Sequence, residues 1–151
     1  MIRILLIGVI TMLTMAVSAA DSNFISKKSP HSVAQTMDRL EGALKEKGIG
    51  IVARVNHATA AKQVAMEMRD TELLIFGNPK LGSPLMIENQ AVAIDLPMKV
   101  IAWKDDKGQV WVGFNDPTAL AKHHNLKSQD EILKKMRGAL DNFTDVATAV
   151  K

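Results

Sequence analysis

The stretch Thr71-Glu72-Leu73-Leu74-Ile75-Phe76-Gly77-Asn78-Pro79-Lys80-Leu81-Gly82-Ser83-Pro84 decides the architecture. Leu73 to Phe76 is an unbroken apolar run, which predicts a central strand buried on both faces. It runs into the densest group of turn-forming residues in the chain. Ser83 before Pro84 makes a good N-cap and first-position pair for a short helix through Leu85, Met86 and Ile87. Asn78-Pro79 offers a second start for the same helix.

Upstream, Val33, Met37, Leu40 and Leu44 recur at helical spacing, with Ser29 as N-cap, Pro30 at the first position and Gly48 as the left-handed stop. Ile51, Ala53 and Val55 then alternate with Val52, Arg54 and Asn56, the period of a strand with one wet face. Asn56 is placed to cap a short alanine-rich helix from Ala58 to Ala65. Downstream, Met98 to Trp103 and Gln109 to Phe114 are β-rich runs joined by Lys104-Asp105-Asp106-Lys107-Gly108, which fits a five-residue hairpin loop. Trp103 and Trp111 flank that loop as a prospective cross-strand pair. Asn115-Asp116-Pro117 is set to cap a short helix with Leu120 and His124 on one side. Ser128 and Glu131 form a capping-box pattern before a last helix carrying Ile132, Met136, Leu140, Phe143 and Ala147. Together these elements predict one α+β domain over residues 21–151, a two-layer sandwich with helices packed on one mostly antiparallel sheet.

Ahead of it, Arg3, the apolar run Ile4 to Val17 and the small residues Ser18, Ala19 and Ala20 read as a secretory signal peptide over residues 1–20, cut after Ala19 or Ala20. The rival is an uncleaved anchor at the lower margin of membrane-spanning length. Cleavage implies a periplasmic or secreted chain with no stable membrane insertion. The chain has no cysteine, which excludes disulfides, thiolate metal sites, c-type haem attachment and thiol nucleophiles. A net charge of +3 is small beside the six to ten phosphate contacts of a duplex binder, so nucleic acid is not an expected partner. Lys27-Lys28 and Lys134-Lys135 read as solvated faces.

The loop after the central strand carries what an anion cradle needs. Gly77 and Gly82 let backbone amides approach a ligand, Asn78 and Ser83 add polar groups, Lys80 adds charge, and a helix start adds its dipole. No Walker or G-x-G-x-x-G pattern is present. The competing reading is a tight strand-to-helix connection whose lysine is solvated. Of the four histidines, His57 at a strand end is the best candidate for a role, paired in space with Asp95 or His124. Their spacing matches no zinc pattern, and adjacent His123 and His124 should point to different sides of a helix. No metal or other cofactor is therefore assigned, though haem or metal held through histidines stays open. The nine methionines show no copper-type repetition and read as core filling. No G-x-S-x-G, H-E-x-x-H or Ser-x-x-Lys pattern links Ser83, Asp95, Asp116, Glu67 or Glu72 into a catalytic set.

The segment Thr71 to Met86, with Ala93-Ile94-Asp95-Leu96-Pro97, Trp103 to Trp111 and Asn115-Asp116-Pro117, resembles the bacterial domain-of-unknown-function 302 family. The likeness runs from about Ser29 through Leu126 into the last helix, and Phe-Gly-Asn-Pro-Lys-x-Gly is its most specific part. It implies a compact α+β domain that often forms homodimers, and it carries no activity or functional residues. The leading expectation is thus an exported, dimeric domain that binds a small, anionic ligand or a partner, with Asn78, Lys80, Gly82, Ser83, His57 and Asp95 lining the site. The alternatives are a hydrolase or isomerase using His57 with a carboxylate, and a structural envelope interaction module.

Overall fold

The computed structural model describes residues 23–150, so the signal-peptide reading of residues 1–20 lies outside the described residues. Five strands form one antiparallel sheet in the order β1-β5-β4-β3-β2, with β1 Phe24–Ser29, β2 Gly50–Asn56, β3 Thr71–Gly77, β4 Met98–Lys104 and β5 Val110–Asn115. The helices are α1 Val33–Glu46, α2 His57–Gln63, α3 Pro79–Glu88, α4 Ala119–His123 and α5 Asp130–Thr148, with a 3-10 turn at Gln90–Ile94. This is the expected α+β sandwich.

Helices α1 and α5 cover one sheet face. Val33, Met37, Leu40 and Leu44 of α1 pack with Leu140, Phe143 and Ala147 of α5 onto Leu74, Phe76, Val100, Ala102, Val112 and Phe114. Strands β3, β4 and β5 contribute alternate residues to this core, because successive side chains leave a strand on opposite faces. A second cluster of Leu85, Val92, Leu120, Leu126, Leu133 and Met136 joins α3, the 3-10 turn and α4 to the start of α5.

Several sequence expectations shift. The Leu73 to Phe76 run is not equally buried. Glu72, Leu74 and Phe76 point under the helices, whereas Leu73 and Ile75 lie half-buried on the other face. The central strand by position is β4, with β3 beside it. The alternation in β2 also breaks. Ile51 lies opposite Phe76 and Ala53 opposite Ile75, so Val52 is the extra residue of a bulge and all later residues change face. Arg54 therefore turns under α1, where it meets Glu72 at 2.7 Å and Asp38 at 2.6 Å. Burial opposes its charge, but hydrogen bonds with Asp38 and Glu72 outweigh that and hold the guanidinium protonated beyond its usual range.

The caps move too. Helix α1 starts at Ser32, which forms a reciprocal capping box with Gln35. Ser29 instead ends β1 with its hydroxyl 2.7 Å from that of Thr36, both buried. Ser128 does not cap α5, because its hydroxyl donates to Glu88 at 2.6 Å and ties the end of α3 to the start of α5. Other readings hold. Gly48 takes φ +68, Asn56 caps α2 through the Thr59 amide at 2.8 Å, and Trp103 pairs with Trp111 across the hairpin at 6.4 Å. Asp105 closes the loop by accepting from the Lys107 and Gln109 amides and from the Trp111 indole. The indole bond, above all, holds the Asp105 carboxyl below its ordinary pKa.

Candidate functional site

The chain leaves β3 at Gly77 and turns into α3 at once. Asn78 is the N-cap, in extended backbone, and its Oδ1 accepts the Lys80 amide at 3.0 Å. Pro79 takes the first helical position, so the Ser83-Pro84 start is corrected in favour of Asn78-Pro79. Pro84 lies inside α3 and lacks the amide that would bond the Lys80 carbonyl.

This geometry removes the anion cradle. The Lys80 amide is taken by the Asn78 side chain, and the Leu81 and Gly82 amides donate to the Asn78 carbonyl at 2.9 and 3.0 Å. Amides spent on the helix's first turn are not available to an outside anion. Gly82 is an interior helix residue, and a Cβ there would meet only Leu96 and Met86 at ordinary van der Waals distance.

What lies beside that turn is a cavity of about 420 Å³. Its floor is the sheet end at Ile51 and Phe76. One wall is α5 at Met136, Ala139, Leu140 and Phe143, and the other is α3 with Leu96 and Pro97. Asn78 and Ser83 supply the polar side chains of its lining, which is otherwise apolar. Among the described residues neither the Asn78 Nδ2 donors nor the Ser83 hydroxyl has a hydrogen-bond partner within the chain. Val52, the extra residue of the β2 bulge, also lines this space.

Asn78, Gly82 and Ser83 therefore come together, as expected. Lys80 is exposed and lies outside the cavity lining. His57 follows the far end of β2, a strand that spans about 20 Å, whereas Asp95 precedes β4 at the cavity end of the sheet. The pairing of His57 with Asp95 is thus not formed. Asp95 instead meets His124, with Nε2 2.5 Å from Oδ2. His123 and His124 do not diverge: their rings stack at 4.6 Å, because α4 ends at His123 and His124 is its C-cap. Glu72 is not a reactive carboxylate, since Arg54 and Asn56 occupy its two oxygens. Asp116 caps the Thr118 turn and pairs with Arg137.

The missed feature is the apolar cavity wall. Leu96, Met86, Met136 and Phe143 come from three separate elements, and each reads as ordinary core in the sequence.

Fold and site together define an α+β sandwich with an apolar cavity at one end of its sheet. Residues 25–143 match the family model described as "Domain of unknown function DUF302", and the chain belongs to that family. Its fold is similar to that of the uncharacterized conserved DUF302 protein from Bacillus stearothermophilus, with a TM-score of 0.74, 22% identity, and coverage of 82% of this chain and 97% of that one. In sequence the chain is 40% identical over 120 residues to proteins named fluoride-specific ion channel FluC 1 in Brucella suis and FluC 2 in Brucella melitensis. The match covers 79% of this chain but only 47% and 44% of those proteins, so the chain spans less than half of their length. Among the described residues no helix is long and apolar enough to cross a membrane.

Proposed function

We propose that this chain is an exported binding domain whose cavity takes the hydrocarbon part of a small amphipathic molecule, its polar end held at Asn78 and Ser83. The supporting observation is the cavity itself. Its volume falls within the roughly 300–1,000 Å³ usual for ligand sites, and it joins an apolar interior to two convergent polar groups. Water gains few hydrogen bonds in such a space, so hydrocarbon fills it favourably. Each methylene moved into it contributes about 0.8 kcal/mol, or roughly fourfold in affinity.

A series of straight-chain alcohols and carboxylates tests this by thermal shift. The shift should grow with each added carbon until the cavity is full, and then stop. Ala139→Leu, which places side-chain volume in the cavity, should stabilise the protein by about 1 kcal/mol and stop the series at a shorter chain. Lys80→Ala should leave it unchanged. A shift that ignores chain length sinks the reading. For export, the N-terminus of protein purified from whole cells should begin at Ala20 or Asp21 and the chain should be released with the periplasm, whereas one beginning at Met1 in the membrane fraction favours the anchor.

A second copy of the chain is the partner we propose for the uncovered sheet face. Leu73, Ile75, Ile101, Trp103 and Trp111 belong to neither apolar cluster of the core, and Phe24 extends the same surface at 5.8 Å from Trp103. A contiguous apolar face of this kind suits association. Sedimentation should give a dimer that Ile101→Lys dissociates.

A further inference from the structure

We propose that Asp95, His123 and His124 form a binding site for a divalent first-row transition metal ion, independent of the cavity reading. Asp95 closes the 3-10 turn, and His123 and His124 end α4. Asp95 Oδ2 lies 2.5 Å from His124 Nε2 and 3.9 Å from His123 Nδ1. The three donor atoms all lie within 4.8 Å of one another, the one such group of three among the described residues. An ion about 2.0–2.2 Å from each would hold them roughly 3–3.5 Å apart. Asp95 and His124 therefore need to part by about 1 Å or less, and His123 to close by about 1 Å or less on Asp95 and by up to roughly 1.8 Å on His124.

A plain Asp–His hydrogen bond accounts for two of these residues. It gives no reason for His123, whose side chain is 72% exposed, to stack over His124 and turn Nδ1 toward the same carboxylate oxygen. Two imidazoles and one carboxylate suit zinc and its neighbours, and leave coordination positions open. The surroundings steady the donors without using them. Asn89 Nδ2 donates to the His124 carbonyl at 2.9 Å, and Lys99 Nζ donates to the Asp95 and Pro97 carbonyls at 3.0 and 3.1 Å. Lys99 thus anchors the Asp95 backbone and leaves its carboxylate to the imidazoles. His124 is nearly closed off while His123 faces solvent, which gives an ion a way in.

Calorimetric titration of the untagged chain with zinc chloride, with cobalt(II) absorption as a second readout, tests the site. One ion per chain should bind, and His123→Ala or His124→Asn should weaken it about tenfold or more. His31→Ala and His57→Ala should bind as the parent does. The exposed position of His123 keeps its variant folded, which circular dichroism checks. Affinity unchanged in His123→Ala, binding lost in His57→Ala, or no saturable one-to-one binding in the parent overturns the proposal.

Discussion

Both faces of the sheet carry large apolar side chains, and the two meet different fates. On the covered face Leu74, Val100, Ala102 and Val112 are fully enclosed by α1 and α5. On the other, Leu73, Ile75, Ile101, Trp103 and Trp111 stay half-exposed, with Lys28 lying over Trp111 at 5.6 Å. Hydrophobicity alone thus fails to distinguish the covered face from the uncovered one. What separates them is which face the helices, themselves amphipathic, have been led back to cover.

Truncation is the sharpest way to break this comparison. Leu74→Ala should cost about 3–4 kcal/mol by urea denaturation, as for a leucine with no route to collapse, whereas Ile101→Ala should cost about 1 kcal/mol or less in dilute protein. If the Ile101 cost rises with protein concentration, a second copy covers that face. If the two costs match at every concentration, the faces do not differ.

Gly113 comes next in size. It lies on the open face between Ser26 and Ile101, and a Cβ there would stand 2.5 Å from Phe24 Cζ and 2.8 Å from the Ile25 carbonyl oxygen. Gly113→Ala should therefore destabilise by about 2 kcal/mol, because the phenyl ring can swing away but the backbone carbonyl cannot. Adding Phe24→Ala should recover only part of that loss in thermal melts.

The smallest effect concerns the polar seam beside the covered face, where Arg137 reaches Asp116 and Asp141 and lies 5.6 Å from the Phe114 ring. Burial opposes the charge on both carboxylates. Hydrogen bonds from Thr118 and Arg137 overcome it at Asp116, and Arg137 and Lys27 do so at Asp141, so both carboxyls sit below their ordinary pKa. A depressed carboxyl stabilises the fold above its unfolded pKa, about 4, and that stability is lost as pH falls through the folded value. Melting temperature should accordingly fall below about pH 4, and Arg137→Met should flatten the fall by about 1 kcal/mol or less, since the pair is partly open to solvent.

Much of the fold was legible because it depends on local rules. The α1 stripe, the Asn56 cap, the hairpin and the Trp103–Trp111 pair each follow from spacing within one element or across one turn. The face assignment of Arg54 was not, because a single bulge at Val52 reverses every later residue of β2. The candidate site was half legible. Asn78, Gly82 and Ser83 stand together because they share one turn of helix, whereas Asp95 and His124 meet across 29 residues of chain.

By itself the sequence determined the α+β class, the order of elements and the strand end at which the chain turns through Asn78, since each is set by periodicity and turn chemistry over a few residues. Only the tertiary structure decided that the Lys80, Leu81 and Gly82 amides are consumed by their own helix turn, that hydrocarbon from separate segments leaves a space beside them, and that two neighbouring histidines converge on Asp95. Those outcomes depend on where separate elements come to rest, and packing between distant segments is fixed by shape and burial across the whole domain.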